Sequence, residues 1–315
     1  MGLKMTPREK MIAALTFQPY DGKVPHIELE FQLTKDVFGE DALDWGKVQN
    51  IPKPQLRDAL IKNVQLWIKV AEKYDYSDFP GLHWLGFDEQ AQSFQIVREL
   101  SGDRYLLKCH VDGTLAIPDG ANYAKLSYRI ADDFDGLVEE LDRNCENACK
   151  SIEAFAQAGA EVNYMCADYC FNQGPFLSPS MFRKLVTPFL KRQCDTCRKV
   201  GMYGVKHTDG NLNPILDQMI GCHPHAFHSI DPMAGMDIRE VRKKVGKEIA
   251  LIGNVDCSKL QSGTKEEIEQ SARYCLKYGP IDGTGYIFAS SNCIFRGVPL
   301  ESYDAMLAVR DTFYD

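Results

Sequence analysis

The 315-residue chain lacks a concentrated basic face: 36 Lys and Arg stand against 44 Asp and Glu, a net charge of -8 with neutral histidines. A protein that grips phosphate backbones needs such a face, so no nucleic-acid partner is expected. No stretch approaches 18 uncharged apolar residues, which leaves no candidate membrane helix. The start lacks the basic, apolar, small-residue order of a signal peptide, and a soluble cytoplasmic protein is expected. Gly2 and Thr6 match the spacing of a myristoylation signal, but a helix opened by Pro7 explains the same residues better. Neither a Gly-x-Gly-x-x-Gly nor a Walker-type loop follows any strand-like run, so a dinucleotide or nucleoside triphosphate has no usual phosphate cradle.

What is present is globular: 44% apolar and 25% charged residues. Eleven cysteines, an odd number without an export signal, read as reduced thiols rather than a disulfide framework. Thr6-Pro7-Arg8-Glu9 is a capping box opening the first helix, and Val24 to Phe31 alternates as a strand. Residues 54 to 73 read as helix, Phe94 to Val97 and Tyr105 to Leu107 as short strands, and 131 to 159 as a long or broken helix.

From residue 160 the pattern is regular. Strands Val162 to Ala167, Met202 to Lys206, Ala226 to Ile230, Ile249 to Ile252 and Tyr286 to Ala289 alternate with helices, including one opened by a Thr264–Glu267 capping box. Their carboxyl ends recur at intervals of about 25 to 40 residues, as repeated strand and helix units with right-handed crossovers do. The fold class is therefore read as α/β: a distorted (β/α)8 TIM barrel with N-terminal additions, spanning 1–315 as one domain. An open doubly wound sheet is the competing reading.

Nearly every one of these strands gives way to a polar residue at its carboxyl end: Asp168, His207 with Asp209, Asp231, Asn254 with Asp256 and Cys257, and Asn292 with Cys293. Singly, Asp and Asn cap helices and Gly-Asn makes turns. Together they point to one mouth, where barrels assemble their active sites. One imidazole nitrogen, two sulfurs and one carboxylate oxygen from His207, Cys257, Cys293 and Asp209 suit tetrahedral zinc. Discontinuous spacing leaves ordinary packed thiols as the alternative. Cys194-x-x-Cys197 and the pair Cys145 and Cys149 read as helix surface and partial core. Cys222-His223-Pro224-His225 precedes a strand and belongs to the opposite, stability face. His228 alternates with Ala226 and Ile230 and is expected inside the barrel.

The segments CADYCFNQGPFLSPSMFRKLVTPFLKR, KHTDGNLNPILDQMIG, HSIDPMAGMDI, LIGNVDCSKL and GYIFASSNCIFRGVPLESYDAM resemble the uroporphyrinogen decarboxylase superfamily, and TPREKMIAAL with VPHIELEF is similar to its opening. The resemblance implies the same distorted barrel. Its true decarboxylases anchor a polycarboxylate through an arginine-rich first loop. Here that loop reads Pro25-His26-Ile27-Glu28-Leu29-Glu30-Phe31-Gln32, and Glu28 and Glu30 would repel such a substrate.

The other branch contains cobamide-dependent methyltransferases that bind zinc through His-x-Cys and a distal Cys. His207 matches that histidine and Cys293 the distal cysteine; Asp209 stands at the middle cysteine's place, and Cys257 is the replacement sulfur. The resemblance thus implies methyl transfer from a small methylated donor, an O-methyl aromatic compound by preference, to a corrinoid protein partner. The cobamide would be carried by that separate protein, because this sequence has no Asp-x-His-x-x-Gly of its own. Asp168, His207, Asp209 and Glu28 are the expected catalytic residues, and Glu30, Tyr169, Asn254 and Asn292 the substrate contacts. The alternatives are a metal-independent decarboxylase of a small carboxylated substrate and a non-catalytic corrinoid or tetrapyrrole carrier.

Overall fold

The computed structural model describes residues 4–314, so Gly2 of the myristoylation spacing lies outside the described residues. The strands are β1 (Lys108–His110), β2 (Val162–Met165), β3 (Cys170–Phe171), β4 (Gly174–Pro175), β5 (Tyr203–Thr208), β6 (Ala226–Ser229), β7 (Ala250–Ile252) and β8 (Tyr286–Ile287). Six of them form a parallel ladder in the order β1-β2-β5-β6-β7-β8, while β3 and β4 make a small antiparallel hairpin over the mouth side of β2. Two extended segments close the ring through single parallel bridges: His26 pairs with both Phe288 and Tyr76, and Asp78 pairs with Leu106. Eight staves result, two of them thinly bonded, which is the distorted (β/α)8 barrel expected.

Period-two alternation sorts the side chains. Leu106, Val162, Tyr164, Val205, Ala226, Ala250, Ile252 and Ile287 fill the barrel interior. The helix Pro7–Leu15 plugs its amino end with Met11, Ala14 and Leu15, and the Thr6–Glu9 capping box that opens it is formed. The outward set, including Cys109, Met165, Phe227 and Leu251, packs with the surrounding helices in a second apolar layer. The helices Phe134–Ala158 and Thr187–Lys199 lie against each other in that layer, linked by Arg192 to Asp142 and Cys145. Among the described residues no helix is long and apolar enough to cross a membrane.

Three expectations are corrected. Phe94 to Val97 is not a strand but part of the helix Phe87–Ser101, in which Gln90, Ser93, Phe94 and Val97 are buried at helical spacing; four apolar or β-favouring residues are too short a run to reveal that period. Val24 to Phe31 is extended but not a continuous strand, bridging only at His26 and Phe31. Of Tyr105 to Leu107 only Leu106 bridges, and the ladder begins at Lys108. The 131 to 159 run is broken at Asp133 between Gly120–Asp132 and Phe134–Ala158.

The amino ends of β7 and β8 are fastened by one buried side chain. Arg242 donates to the carbonyls of Gly279, Gly246, Ile249 and Gly285 at 2.7, 2.8, 3.1 and 2.5 Å. Burial lowers its pKa to about 10, still far above neutrality, so it remains a cation serving four carbonyls, of which that of Gly285 also accepts from the Leu251 N–H. Arg242→Met should lower unfolding stability by roughly 2–4 kcal/mol, read from the urea midpoint, because buried carbonyls lose their donors. An unchanged midpoint would show that those carbonyls find other partners.

Candidate active site at the carboxyl mouth

Parallel pairing puts His207 of β5 in register with His228 of β6, and both follow the inward set begun by Val205 and Ala226. Their Nδ1 atoms are 2.7 Å apart, so one ring donates to the other. Burial drives both imidazoles toward the neutral form, His207 to about 4 and His228 well below its ordinary value. His207 Nε2 then lies 3.9 Å from Asp209 Oδ1.

Backbone donors hold two further carboxylates, those of Asp168 and Asp231, near Asp209. Asp209 N–H donates to Asp168 Oδ1 at 3.0 Å, and Gly210 N–H to Asp231 Oδ2 at 3.1 Å. Gly210 has φ +84, and a Cβ there would stand 2.4 Å from the Cys170 carbonyl, so glycine is required. The Asp209 carboxylate accepts from Ser229 Oγ at 2.6 Å and from Asn292 Nδ2 at 2.5 Å. Burial, reinforced by Asp168 and Asp231, nonetheless pushes its pKa up to about 7. Ser229 and Ile230 hold positive φ values of 83 and 49, backbone strain that sits where Ser229 aims its hydroxyl.

Asp168, His207 and Asp209 can each offer a donor atom within 4.8 Å of the others, the arrangement of a cation site. It is the one such group of three or more His, Cys, Asp or Glu among the described residues, and it contains neither expected cysteine. Cys257 opens the helix Cys257–Ser262 and turns its thiol toward the Cys293 carbonyl, 3.8 Å away. Burial raises both thiol pKa values, that of Cys293 to about 12. Cys257 and Cys293 do share with Asp209, Asp231, Asn292 and Phe295 the wall of a cavity of about 400 Å³. A neutral imidazole among carboxylates that repel one another fits a divalent first-row cation with an oxygen-richer shell than the thiolate set expected.

The remaining expected residues lie further back. Glu28 is wholly buried, held by the Ser290 N–H at 3.2 Å, and burial raises its pKa to about 8. Glu30 is half-buried; His83, 3.5 Å away, with Gln32 pulls it down to about 2. Tyr169 is buried with its hydroxyl 2.6 Å from Thr114 Oγ1, and the Asn254 amide donates to the Ile230 carbonyl at 2.6 Å. Both stand behind the wall rather than on it.

Sequence reasoning missed two imidazoles. His83 and His110 stack with centroids 4.1 Å apart and planes 3° apart, and His110 Nδ1 is 3.9 Å from Cys166 Sγ. The inward phase of β1 could have revealed His110, since Leu106 and His110 are four apart; His83 lies in a one-turn helix without a periodic signal.

An eight-staved α/β barrel with its convergent polar groups at the carboxyl mouth has the architecture of barrel enzymes. The chain belongs to the uroporphyrinogen decarboxylase (URO-D) family, whose model matches residues 118–313. No curated protein matches the sequence significantly. A solved methyltransferase from Methanosarcina mazei shares the fold, with a TM-score of 0.76 and 21% identity over 99% of this chain and 100% of that one. A B12-independent methionine synthase from Shewanella sp. W3-18-1 is more distant, with a TM-score of 0.49 and 10% identity over 93% and 96%. A sugar phosphate isomerase/epimerase from Parabacteroides distasonis reaches 0.46 at 10% identity, over 93% and 96%.

In metal-stripped protein the Asp209 carboxyl should titrate near 7. Its folded pKa exceeds the unaltered 3.8, so the native state holds the extra proton between these values and the stability tied to it is lost as pH rises through about 7. Asp209→Asn should remove the corresponding carboxyl infrared band and that part of the pH slope. A carboxyl that titrates near 4 would show that water, not crowding, governs the site.

Proposed function

We propose that this chain moves a methyl group from a small methylated donor to the reduced cobalt of a separate corrinoid protein. The observation that carries this reading is the Asp168, His207 and Asp209 group beside an open cavity whose described lining contains no Lys or Arg. A substrate carboxylate finds no Lys or Arg side chain there and meets Asp209 and Asp231 instead, which argues against the decarboxylase alternative, whereas Phe295 and Met233 offer apolar surface to an aromatic ether. The likeness to the Methanosarcina mazei fold supports the same branch of the family.

Asp168, His207 and Asp209 would hold zinc, which when bound supplies Lewis acidity toward the oxygen that departs from the methyl group. The chain's own work is orientation and charge. Ser229 and Asn292 fix Asp209, and the His228 ring fixes the plane of His207. As a ligand Asp209 would be the carboxylate that completes the cation's shell, since bound metal displaces its proton. The partner's cobalt would supply the nucleophile, which requires this mouth to stay open to that partner. Phe171 at 47% and Met233 at 57% exposure stand near it as apolar contacts for that partner. A carrier without chemistry would gain nothing from three crowded carboxylates.

The test is methylcorrinoid formation, followed by absorbance, from reduced corrinoid protein or reduced free cobalamin with a donor panel headed by methoxylated phenols. Donor-dependent product and stoichiometric zinc are expected, with His207→Ala and Asp168→Asn each lowering the rate on the order of 100-fold or more. Absence of product with competent reduced acceptors, together with carbon dioxide release from a small acid, would reverse the assignment.

A further inference from the structure

Beside the Asp168, His207 and Asp209 group stands a wall to which the methyl-transfer steps assign no task. Glu30, whose carbonyl accepts the Ile294 N–H at 2.9 Å, adjoins Cys293 on the cavity rim. His83 Nε2 is 3.5 Å from Glu30 Oε1, and the His83 ring stacks on His110, the last residue of β1. His110 Nδ1 in turn is 3.9 Å from the sulfur of Cys166, two residues before Asp168. The wall thus runs from Cys293 to the segment that carries Asp168. It is aromatic along its length, with Trp84 5.0 Å from His83 and Tyr164 5.4 Å from His110, centroid to centroid. Glu30, His83, Trp84, His110 and Cys166 are all partly exposed.

We propose that Glu30, His83 and His110 recognise a free hydroxyl on the donor's aromatic ring, so that the substrate class, resting on the methyl-transfer reading of the same mouth, is a neutral methoxyphenol. Two atoms of the wall lack a partner: His83 Nδ1 and His110 Nε2 are buried and reach no hydrogen-bond partner among the described residues. Such nitrogens are costly to leave unpaired, and a hydroxyl brings both a proton and lone pairs to them. Both are closed to bulk water, so a small turn of the stacked rings accompanies binding. Burial keeps the two imidazoles neutral, while His83 and Gln32 keep Glu30 ionised. Carboxylate and neutral imidazole are acceptors for a phenol, which retains its proton at neutral pH. A carboxylate on the ring would instead meet Glu30, Asp168 and Asp209, and the neighbouring Lys108 is already held by Asp78 and the Glu28 carbonyl.

Shape and polarity divide the work along this wall. The flat series of Trp84, His83, His110 and Tyr164 offers stacking surface to any aromatic ring, and so does not choose among rings. The hydroxyl makes that choice. An ether without it keeps the apolar contact but leaves the imidazole nitrogens unpaired, a difference of about tenfold or more in affinity.

Calorimetric titration of the whole protein, without any corrinoid, tests this with ortho-, meta- and para-methoxyphenol, methoxybenzene and a hydroxymethoxybenzoate. At least one methoxyphenol isomer should bind about tenfold or more tightly than methoxybenzene, and more tightly than the benzoate. His110→Phe retains a flat ring in the stack and should bring that isomer down to the affinity of methoxybenzene, whose own affinity stays unchanged. Glu30→Gln should narrow the gap between phenol and benzoate. The proposal is overturned if the unsubstituted chain prefers no methoxyphenol over methoxybenzene, or if His110→Phe keeps the preference. Methyl transfer has a separate readout: a chain that methylates cobalt from ethers and phenols alike, with no preference in calorimetry, loses the subsite and keeps the activity. A chain that shows the preference and its loss in His110→Phe, yet never forms methylcorrinoid, keeps the subsite and loses the activity.

Discussion

The mouth depends on one buried ion pair. Lys206, with no exposed side-chain surface, places Nζ 2.8 Å from Asp112 Oδ2 and 2.8 Å from the Ala167 carbonyl, over the Tyr169 ring at 4.2 Å. Asp112 completes the tie by accepting from Ala167 N–H and from Thr114. Three segments, after β1, after β2 and within β5, are thereby locked to one another. Desolvating two charges makes such a pair a poor source of net stability, but removing one partner strands the other, typically at about 3–5 kcal/mol. Its effect is positional: the turn through Ala167 is fixed, and Asp168 is delivered to the Asp209 N–H.

Lys206 and His207 also show how alternation divides labour. Adjacent on β5, they point to opposite faces, one into the ion pair behind the sheet and one into the barrel. Along the inward face the layers change from Val205, Ala226 and Ala250 at depth to His207 and His228 above them. An apolar floor beneath a histidine layer keeps those imidazoles neutral, and a neutral imidazole is both a metal ligand and a proton acceptor. Without that floor the same residues at the same strand ends would titrate in water as ordinary histidines.

Strand ends were legible in the sequence because a switch from apolar to polar residues marks where a stave leaves the core. Asp168, His207 and Asp209 were read that way, and the structure brings them together. What a one-dimensional pattern does not contain is the rotation of a side chain after the strand has ended. Cys257 and Asn254 both follow β7; one begins a helix with its thiol on a carbonyl, the other turns its amide to the Ile230 carbonyl. Residue type therefore identified candidates for zinc without settling which atoms converge. The first half was less readable because its staves pair through single bridges, so period-two runs such as Val24 to Phe31 outlast the pairing they seem to announce.

Asn254 has a further consequence for Asp209. The left-handed backbone at Ser229 and Ile230 is unfavourable for residues with a Cβ, and most so for β-branched Ile230. It persists because its surroundings leave the chain no alternative: the Asn254 amide holds the Ile230 carbonyl, and Cys275 Sγ in turn donates to Asn254 Oδ1 at 3.3 Å. That bend is what lets Ser229 reach Asp209 while Asp231, two residues on, receives the Gly210 N–H. A relaxed strand end would withdraw the hydroxyl from Asp209 and leave its crowded carboxyl with one donor fewer. The strain is thus localised at the point where the barrel bends a stave to carry the Ser229 hydroxyl to the Asp209 carboxyl beside His207.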